Sequence, residues 1–257
     1  MHRGTVLRTV DGLRLAGRWW PASHGDGAAR HDGQPDTAVV LVHGFGGSKD
    51  DPGLALVAAH LADHGRLVLT YDSRGHGESG GMCTLGDLER LDVDTAVAAA
   101  ADNADHVVVI GTSMGGIAVL NHIATGTPAC GAVIVATPAH WRVPRSWRGV
   151  LSTMATQTGL GRAAVARWNG VRVAVRPVRG QPPAAQIRNA HLPVVVMHGR
   201  NDRFLSPDAA RVLFAAAPPP KWLDLVSGMG HGFCARALAP VSTAVGRVVD
   251  AAAEEVP

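Results

Sequence analysis

Short apolar-rich runs alternate along the chain with longer stretches of helical character. Ala38–Val42, Leu67–Tyr71, His106–Ile110, Ala132–Ala136, Pro193–Met197 and Trp222–Val226 read as strands. Ala38–Val42 is wholly apolar, which predicts burial on both faces, as inside a parallel sheet. Between the strands, Pro52–His64, Leu85–Ala101, Gly116–Ile123, Pro207–Ala217 and Leu238–Ala253 read as helices. Ahead of the series, Thr5–Val10 and Leu13–Trp20 flank Asp11-Gly12, a hairpin signal. Strands alternating with helices predict an α/β fold: a mostly parallel central sheet with helices on both faces.

The alternation breaks once, between Thr137 and His191. That stretch holds Trp141, Trp147 and Trp168, three of the six tryptophans. It is too long for an ordinary connection and too apolar for a disordered one. The predicted organisation is a core made of residues 1–136 and 192–257 with a small cap inserted at 137–191. Ser23–Asp36, rich in Gly, Asp and His, reads as an exposed loop.

One stretch carries the strongest chemical signal. His106–Ile110 is followed by Gly111-Thr-Ser-Met-Gly115 and then by the apolar helix from Gly116. Strand, G-x-S-x-G, helix is a sharp elbow that presents the serine hydroxyl at its tip. The pentapeptide spacing recurs at Gly77-Glu-Ser79-Gly-Gly81, but there it lies in a polar loop several residues past its strand. The context selects Ser113 as the candidate nucleophile.

A serine hydroxyl needs a base, and the base needs an orienting carboxylate. Asp202 stands in a turn just past the strand ending at Met197. His231 stands in a glycine-rich loop just past the strand ending at Val226. In a parallel sheet all strand C-termini share one edge, so Ser113, Asp202 and His231 are expected to meet there. Asp208 is the rival acid. The strand ending at Ala136 runs into Thr137-Pro-Ala-His140, which offers no carboxylate. The amide of Met114, at a helix N-terminus, is one expected oxyanion donor. Phe45, freed by Gly44 and Gly46 on either side, is the other.

These motifs resemble those of the α/β-hydrolases: H-G-x-G-G-S at His43–Ser48, D-x-R-G-H-G-x-S at Asp72–Ser79, the elbow at Gly111–Gly115, H-G-x-x-D at His198–Asp202 and G-x-G-H at Gly228–His231. The resemblance implies the α/β-hydrolase fold, a Ser113-His231-Asp202 triad and an oxyanion hole from the amides of Phe45 and Met114. It implies no substrate. His43, Asp72, Arg74 and His76 read as loop braces rather than reacting groups.

Charge alters the picture in the cap. Nine arginines, at 142, 145, 148, 162, 167, 172, 176, 179 and 188, lie in 137–191 with no Asp or Glu. The rest of the chain has 15 basic and 21 acidic residues, so the overall net charge of +3 hides a strongly basic cap. Arginine grips phosphates and carboxylates and stacks on tryptophan. Arg142, Arg145, Arg148 and Trp141 are therefore the candidate substrate-binding residues, suited to an anionic thioester, with a merely solvated basic surface as the rival. The absence of a cap carboxylate to hold an ammonium group argues against an aminopeptidase.

The expected activity is hydrolysis of a small-molecule carboxylic ester or thioester through acyl-Ser113. The alternatives are acyl transfer or lyase chemistry on the same triad, or a ligand-binding protein on a hydrolase fold. No cofactor, metal or nucleic acid is expected. His60 and His64 lack the glutamate of a zinc-protease helix, and the three cysteines have no metal spacing. No apolar run is long enough to span a membrane and none resembles a signal peptide, so a cytoplasmic protein is expected.

Overall fold

The computed structural model describes residues 2–23, 35–125, 128–141, 147–175 and 180–254, with backbone alone at 147–149 and 151–152. Most of the loop expected at 23–36 lies outside these residues. The strands are β1 (Arg3–Arg8), β2 (Arg14–Trp20), β3 (Thr37–Val42), β4 (Leu67–Tyr71), β5 (His106–Thr112), β6 (Gly131–Val135), β7 (Val194–Gly199) and β8 (Lys221–Val226). They form one sheet in the order β1-β2-β4-β3-β5-β6-β7-β8. β2 is antiparallel to its neighbours β1 and β4, and the six strands from β4 to β8 are parallel. This is the α/β-hydrolase fold that the sequence predicts.

The all-apolar strands fill two cores by simple alternation. Val40, Val42, Val109, Ile134, Val194 and Val196 face one side. There they meet Val93, Ala96 and Val97 of helix α2 (Glu89–Ala101), Ala118 and Val119 of α3 (Met114–Ile123) and Leu213 of α7 (Asp208–Ala216). Val39, Leu41, Val108, Ile110, Val133, Val195 and Met197 face the other. They meet Leu54, Val57 and Leu61 of α1 (Pro52–Asp63), and Val241, Val245 and Val248 of α8 (Leu238–Glu254). Each such side chain contributes roughly 1.5–3 kcal/mol by leaving water.

Helix α2 starts at Glu89, four residues later than the apolar pattern predicts. The buried carboxylate of Glu89 accepts the amides of Thr84 (2.7 Å) and Gly86 (2.9 Å) and the hydroxyl of Thr84 (2.5 Å). The segment is wound around that carboxylate, with Leu85 at φ 63°, and cannot be helical.

Within 137–191, α4 (Trp147–Gln157) and α5 (Gly159–Asn169) form a helical hairpin. Thr158 caps α5 by accepting the amide of Gly161 at 3.0 Å. α6 (Pro183–Gln186) is a single turn leading back to the core. Val165, Val171 and Val173 of this stretch pack on Cys83 and Met114, with Phe45, Leu85 and Ala155 alongside. Residue 173 is bridged to Cys83, and Arg172 donates through Nε to the carbonyl of Gly81 at 3.2 Å and through a terminal nitrogen to that of Ser79. Arg172 therefore ties this stretch to the loop after β4.

Candidate active site

Strand β5 ends in a turn too tight for a side chain at Gly111 or Gly115. A Cβ on Gly115 would lie 2.5 Å from the carbonyl oxygen of Val42, and one on Gly111 would lie 2.5 Å from that of Gly115. Between them Ser113 adopts φ 54°, ψ −114°, a conformation that costs a non-glycine residue of order 1–3 kcal/mol. The strain holds the side chain off the sheet, at the N-terminus of α3.

The loops after β5, β7 and β8 converge there. Ser113 Oγ is 3.0 Å from His231 Nε2, and His231 Nδ1 is 2.7 Å from Asp202 Oδ2. A carboxylate only accepts, so Nδ1 carries the proton and Nε2 is left to accept from the hydroxyl. The side chain of Asp202 is wholly buried. Its Oδ1 accepts the amides of Phe204 (2.7 Å) and Leu205 (2.9 Å), and its Oδ2 also lies 3.1 Å from His198 Nε2. Burial pushes its pKa up, but the N–H donors of His198, His231 and Leu205 outweigh that and hold the carboxyl well below the ordinary range. The rival acid Asp208 is turned to the surface, where it pairs with Arg211 at 2.7 Å.

The loop after β3 faces the elbow. A Cβ on Gly44 would lie 3.3 Å from that of Ser113 and from the carbonyl oxygen of Thr112, so a side chain here would crowd the elbow. Two buried histidines brace the loop. His43 Nδ1–H meets the carbonyl of Gly44 at 2.7 Å and its Nε2 accepts the amide of Ser73 at 2.9 Å. His76 Nδ1–H meets the carbonyl of Arg74 at 3.1 Å and its Nε2 accepts the amide of Gly46 at 3.3 Å. Burial, and for His76 the nearby His43, keep both neutral: the pKa of His43 is lowered and that of His76 falls to about 4. The loop amide of Phe45 and the first helical amide of Met114, which has no intrahelical acceptor, flank the elbow.

A cleft of about 240 Å³ opens over Ser113, lined by His43, Phe45, Asp51, His231 and Phe233 among others. Asp51 is a residue that the sequence reading did not single out. Its Oδ1 caps α1 by accepting the amides of Gly53 (3.0 Å) and Leu54 (3.2 Å), and the Asp-Pro pair before a helical run is the signal for that cap. Its place in the cleft depends on the fold. The cap candidates stand apart from the cleft or outside the description. Trp141 donates through Nε1 to the carbonyl of Gly180 at 3.0 Å and does not line the cleft. Arg142 and Arg145 lie outside the described residues, and Arg148 is described only as backbone of α4. Ser79 is buried, with its hydroxyl donating to the carbonyl of Asp72 at 2.5 Å and accepting the amide of Ala16 at 2.9 Å. Among the described residues no group of three or more His, Cys, Asp or Glu is placed to hold a metal ion, and no helix is long and apolar enough to cross a membrane.

The sheet, the strained elbow and the strand-end loops around it define an α/β-hydrolase. Residues 33–171 match the family described as serine aminopeptidase, S33, and the chain belongs to that family. The matched region contains the elbow and stops before Asp202 and His231. An uncharacterized protein of Mycobacterium tuberculosis is 24% identical over 233 residues, 89% of this chain and 72% of its own. Among solved structures, the esterase Pf2001 of Pyrococcus furiosus aligns with a TM-score of 0.71 at 21% identity, covering 97% of this chain and 92% of its own. The esterase RhEst1 of a Rhodococcus species aligns with a TM-score of 0.62 at 22% identity, covering 97% and 98%.

Proposed function

We propose that this hydrolase cleaves a small-molecule carboxylic ester or thioester through an acyl-Ser113 intermediate. One observation carries the proposal: the unbroken hydrogen-bonded chain from Ser113 Oγ through both nitrogens of His231 to Asp202. His231 Nε2 takes the hydroxyl proton as Oγ attacks the acyl carbon. The amides of Phe45 and Met114 receive the charge on the carbonyl oxygen. His231 then returns the proton to the departing oxygen or sulfur, and the same steps with water release the acid. The esterases among the structural neighbours support an oxygen ester as the first substrate to try. An activated p-nitrophenyl ester should give a burst of phenol equal to the enzyme concentration. Steady release at the buffer rate alone would make the protein a binder on a hydrolase fold.

Asp51 favours a second reading, an acyl group that carries an ammonium. The cap offers no acid, but this core carboxylate lines the cleft with one oxygen committed to the α1 cap, and the family description names an aminopeptidase. Aminoacyl p-nitroanilides with free and acetylated amines separate the two. Preference for the free amine, lost in Asp51→Asn, supports this reading, and indifference to the amine returns the site to plain esters.

The cap arginines Arg142, Arg145 and Arg148 are proposed to draw in anionic substrates across roughly one Debye length, about 10 Å at 0.1 M salt. On that account kcat/KM for an acyl-coenzyme A falls steeply with ionic strength while a neutral thioester of the same acyl group gives a flat curve. Parallel curves would leave the arginines as a solvated surface.

A further inference from the structure

Asp202 is held by more than the triad requires. Its Oδ2 faces two imidazoles, His231 at 2.7 Å and His198 at 3.1 Å. His198 sits near the end of β7, and its side chain is wholly buried. Its Nε2 also lies 3.1 Å from the carbonyl of Leu205. Both partners of Nε2 are acceptors, so this nitrogen bears a hydrogen and shares it between them. The other nitrogen, Nδ1, is buried without a hydrogen-bond partner. A proton on Nδ1 would be a buried donor with no acceptor, which costs the full desolvation of that group. The geometry therefore selects the neutral imidazole with its hydrogen on Nε2.

We propose that His198 is a positioning residue for the catalytic acid: a neutral donor that fixes the Asp202 carboxylate so that the same oxygen meets His231 Nδ1. The proposal rests on the triad reading above. The work divides between the two oxygens. The amides of Phe204 and Leu205 hold Oδ1. Without His198, Oδ2 would have His231 as its one partner and could follow that ring when it moves. The bond from Nε2 to the Leu205 carbonyl adds a second anchor, since Leu205 belongs to the same turn as the acid. The titratable groups facing Asp202 are His198 from β7 and His231 from the loop after β8. Leu225 flanks His198 on β8, and Asp208 is paired with Arg211 outside.

Two consequences distinguish this role from mere packing. A donor on Oδ2 draws off part of the carboxylate's charge. Removing it leaves more charge for the His231 imidazolium, which then keeps its proton to higher pH. Freedom of the carboxylate, in turn, degrades the alignment of His231 with Ser113, a loss that falls on kcat rather than on substrate binding.

The test uses the full chain with a p-nitrophenyl ester. His198→Met keeps the volume and removes the donor. His198→Gln places an amide N–H where Nε2 stood. His198→Met should lower kcat about 10–100-fold with KM little changed, and move the acid limb of the kcat/KM profile to higher pH. His198→Gln should restore most of both. An acid limb that stays in place, or moves to lower pH, overturns the proposal. Should His198→Met fail to fold, the wild-type protein decides: with ¹⁵N-labelled histidine, His198 should show a neutral ring protonated at Nε2 across the range in which His231 titrates. A doubly protonated ring, or one protonated at Nδ1 alone, contradicts it. Ser113→Ala is run alongside. Turnover that survives Ser113→Ala brings down the triad and this inference with it, whereas turnover lost there with a limb unmoved in His198→Met brings down this inference alone.

Discussion

Ser79 donates its hydroxyl to the carbonyl of Asp72 at 2.5 Å, seven residues back along the same loop. The bond closes the turn after β4, and the amide of Ala16 donates to the same hydroxyl oxygen at 2.9 Å. A serine with both hydrogen-bonding roles engaged and no access to water serves the fold. Ser79→Ala should therefore cost stability, about 1–3 kcal/mol for an amide left unpaired, and leave kcat for a p-nitrophenyl ester within about twofold. Paired thermal melts and initial rates check this. A stable variant without turnover would reverse the assignment of the two serines.

Asp202→Asn should lower kcat by about 10⁴-fold without unfolding the protein. An amide nitrogen facing His231 Nδ1 imposes the wrong tautomer, and Nε2 can then no longer accept from Ser113. The comparison is with Asp208→Asn, which should retain full turnover because that acid faces Arg211 at the surface. Near wild-type turnover in Asp202→Asn would hand the orienting role to a different group, and a loss confined to Asp208→Asn would hand it to Asp208.

Acid should loosen the loop that faces the elbow. The pKa of His76 falls to about 4 in the fold, chiefly by burial, against about 6.5 unfolded. Its contribution is thus present above pH 6.5 and is lost as the pH falls toward 4, an effect of about 3 kcal/mol. The buried Asp92, pushed up to about 6, bends the curve the opposite way. His76→Gln keeps an acceptor for the amide of Gly46 and removes the titration, so subtracting its denaturation curves from those of the wild type isolates His76. No difference in slope between pH 6.5 and 4 would contradict the account.

Arg172→Met should loosen residues 147–175 without weakening the two cores on the sheet. Its guanidinium reaches two carbonyls of the loop after β4, whereas the two main cores lie on the faces of the sheet. Limited proteolysis within 147–175 should quicken severalfold while the melting temperature moves by only a few degrees. Unchanged cleavage would show that the packing of Val165, Val171 and Val173, together with the backbone bonds of Arg172 and Ala174 to Gly75 and Cys83, holds this stretch without the guanidinium.

The elbow was legible because pattern and chemistry agree there: an apolar run, two glycines and an apolar helix leave one arrangement for Ser113. Asp202 and His231 were legible because a parallel sheet gathers strand ends on one edge. The start of α2 was not, since Leu85 and Leu88 continue an apolar pattern and the carboxylate that captures the turn comes from Glu89 inside the helix. Arg172 reads as one of nine cap charges. Its attachment to carbonyls some ninety positions earlier exists only in the fold. Asp51 announces a helix cap, but its place in the cleft wall follows from where β3 delivers its loop. His198 stands inside a recognisable motif, yet its bond to Asp202 depends on the turn through Leu205.

The most direct measurement is the site of covalent labelling by a fluorophosphonate, located by peptide mass analysis and followed across pH. The account predicts one phosphonyl group per chain, on Ser113, with labelling abolished by His231→Ala and unaffected by Ser79→Ala. Label on Ser79, or labelling of Ser113 that proceeds at full rate without His231, would contradict it.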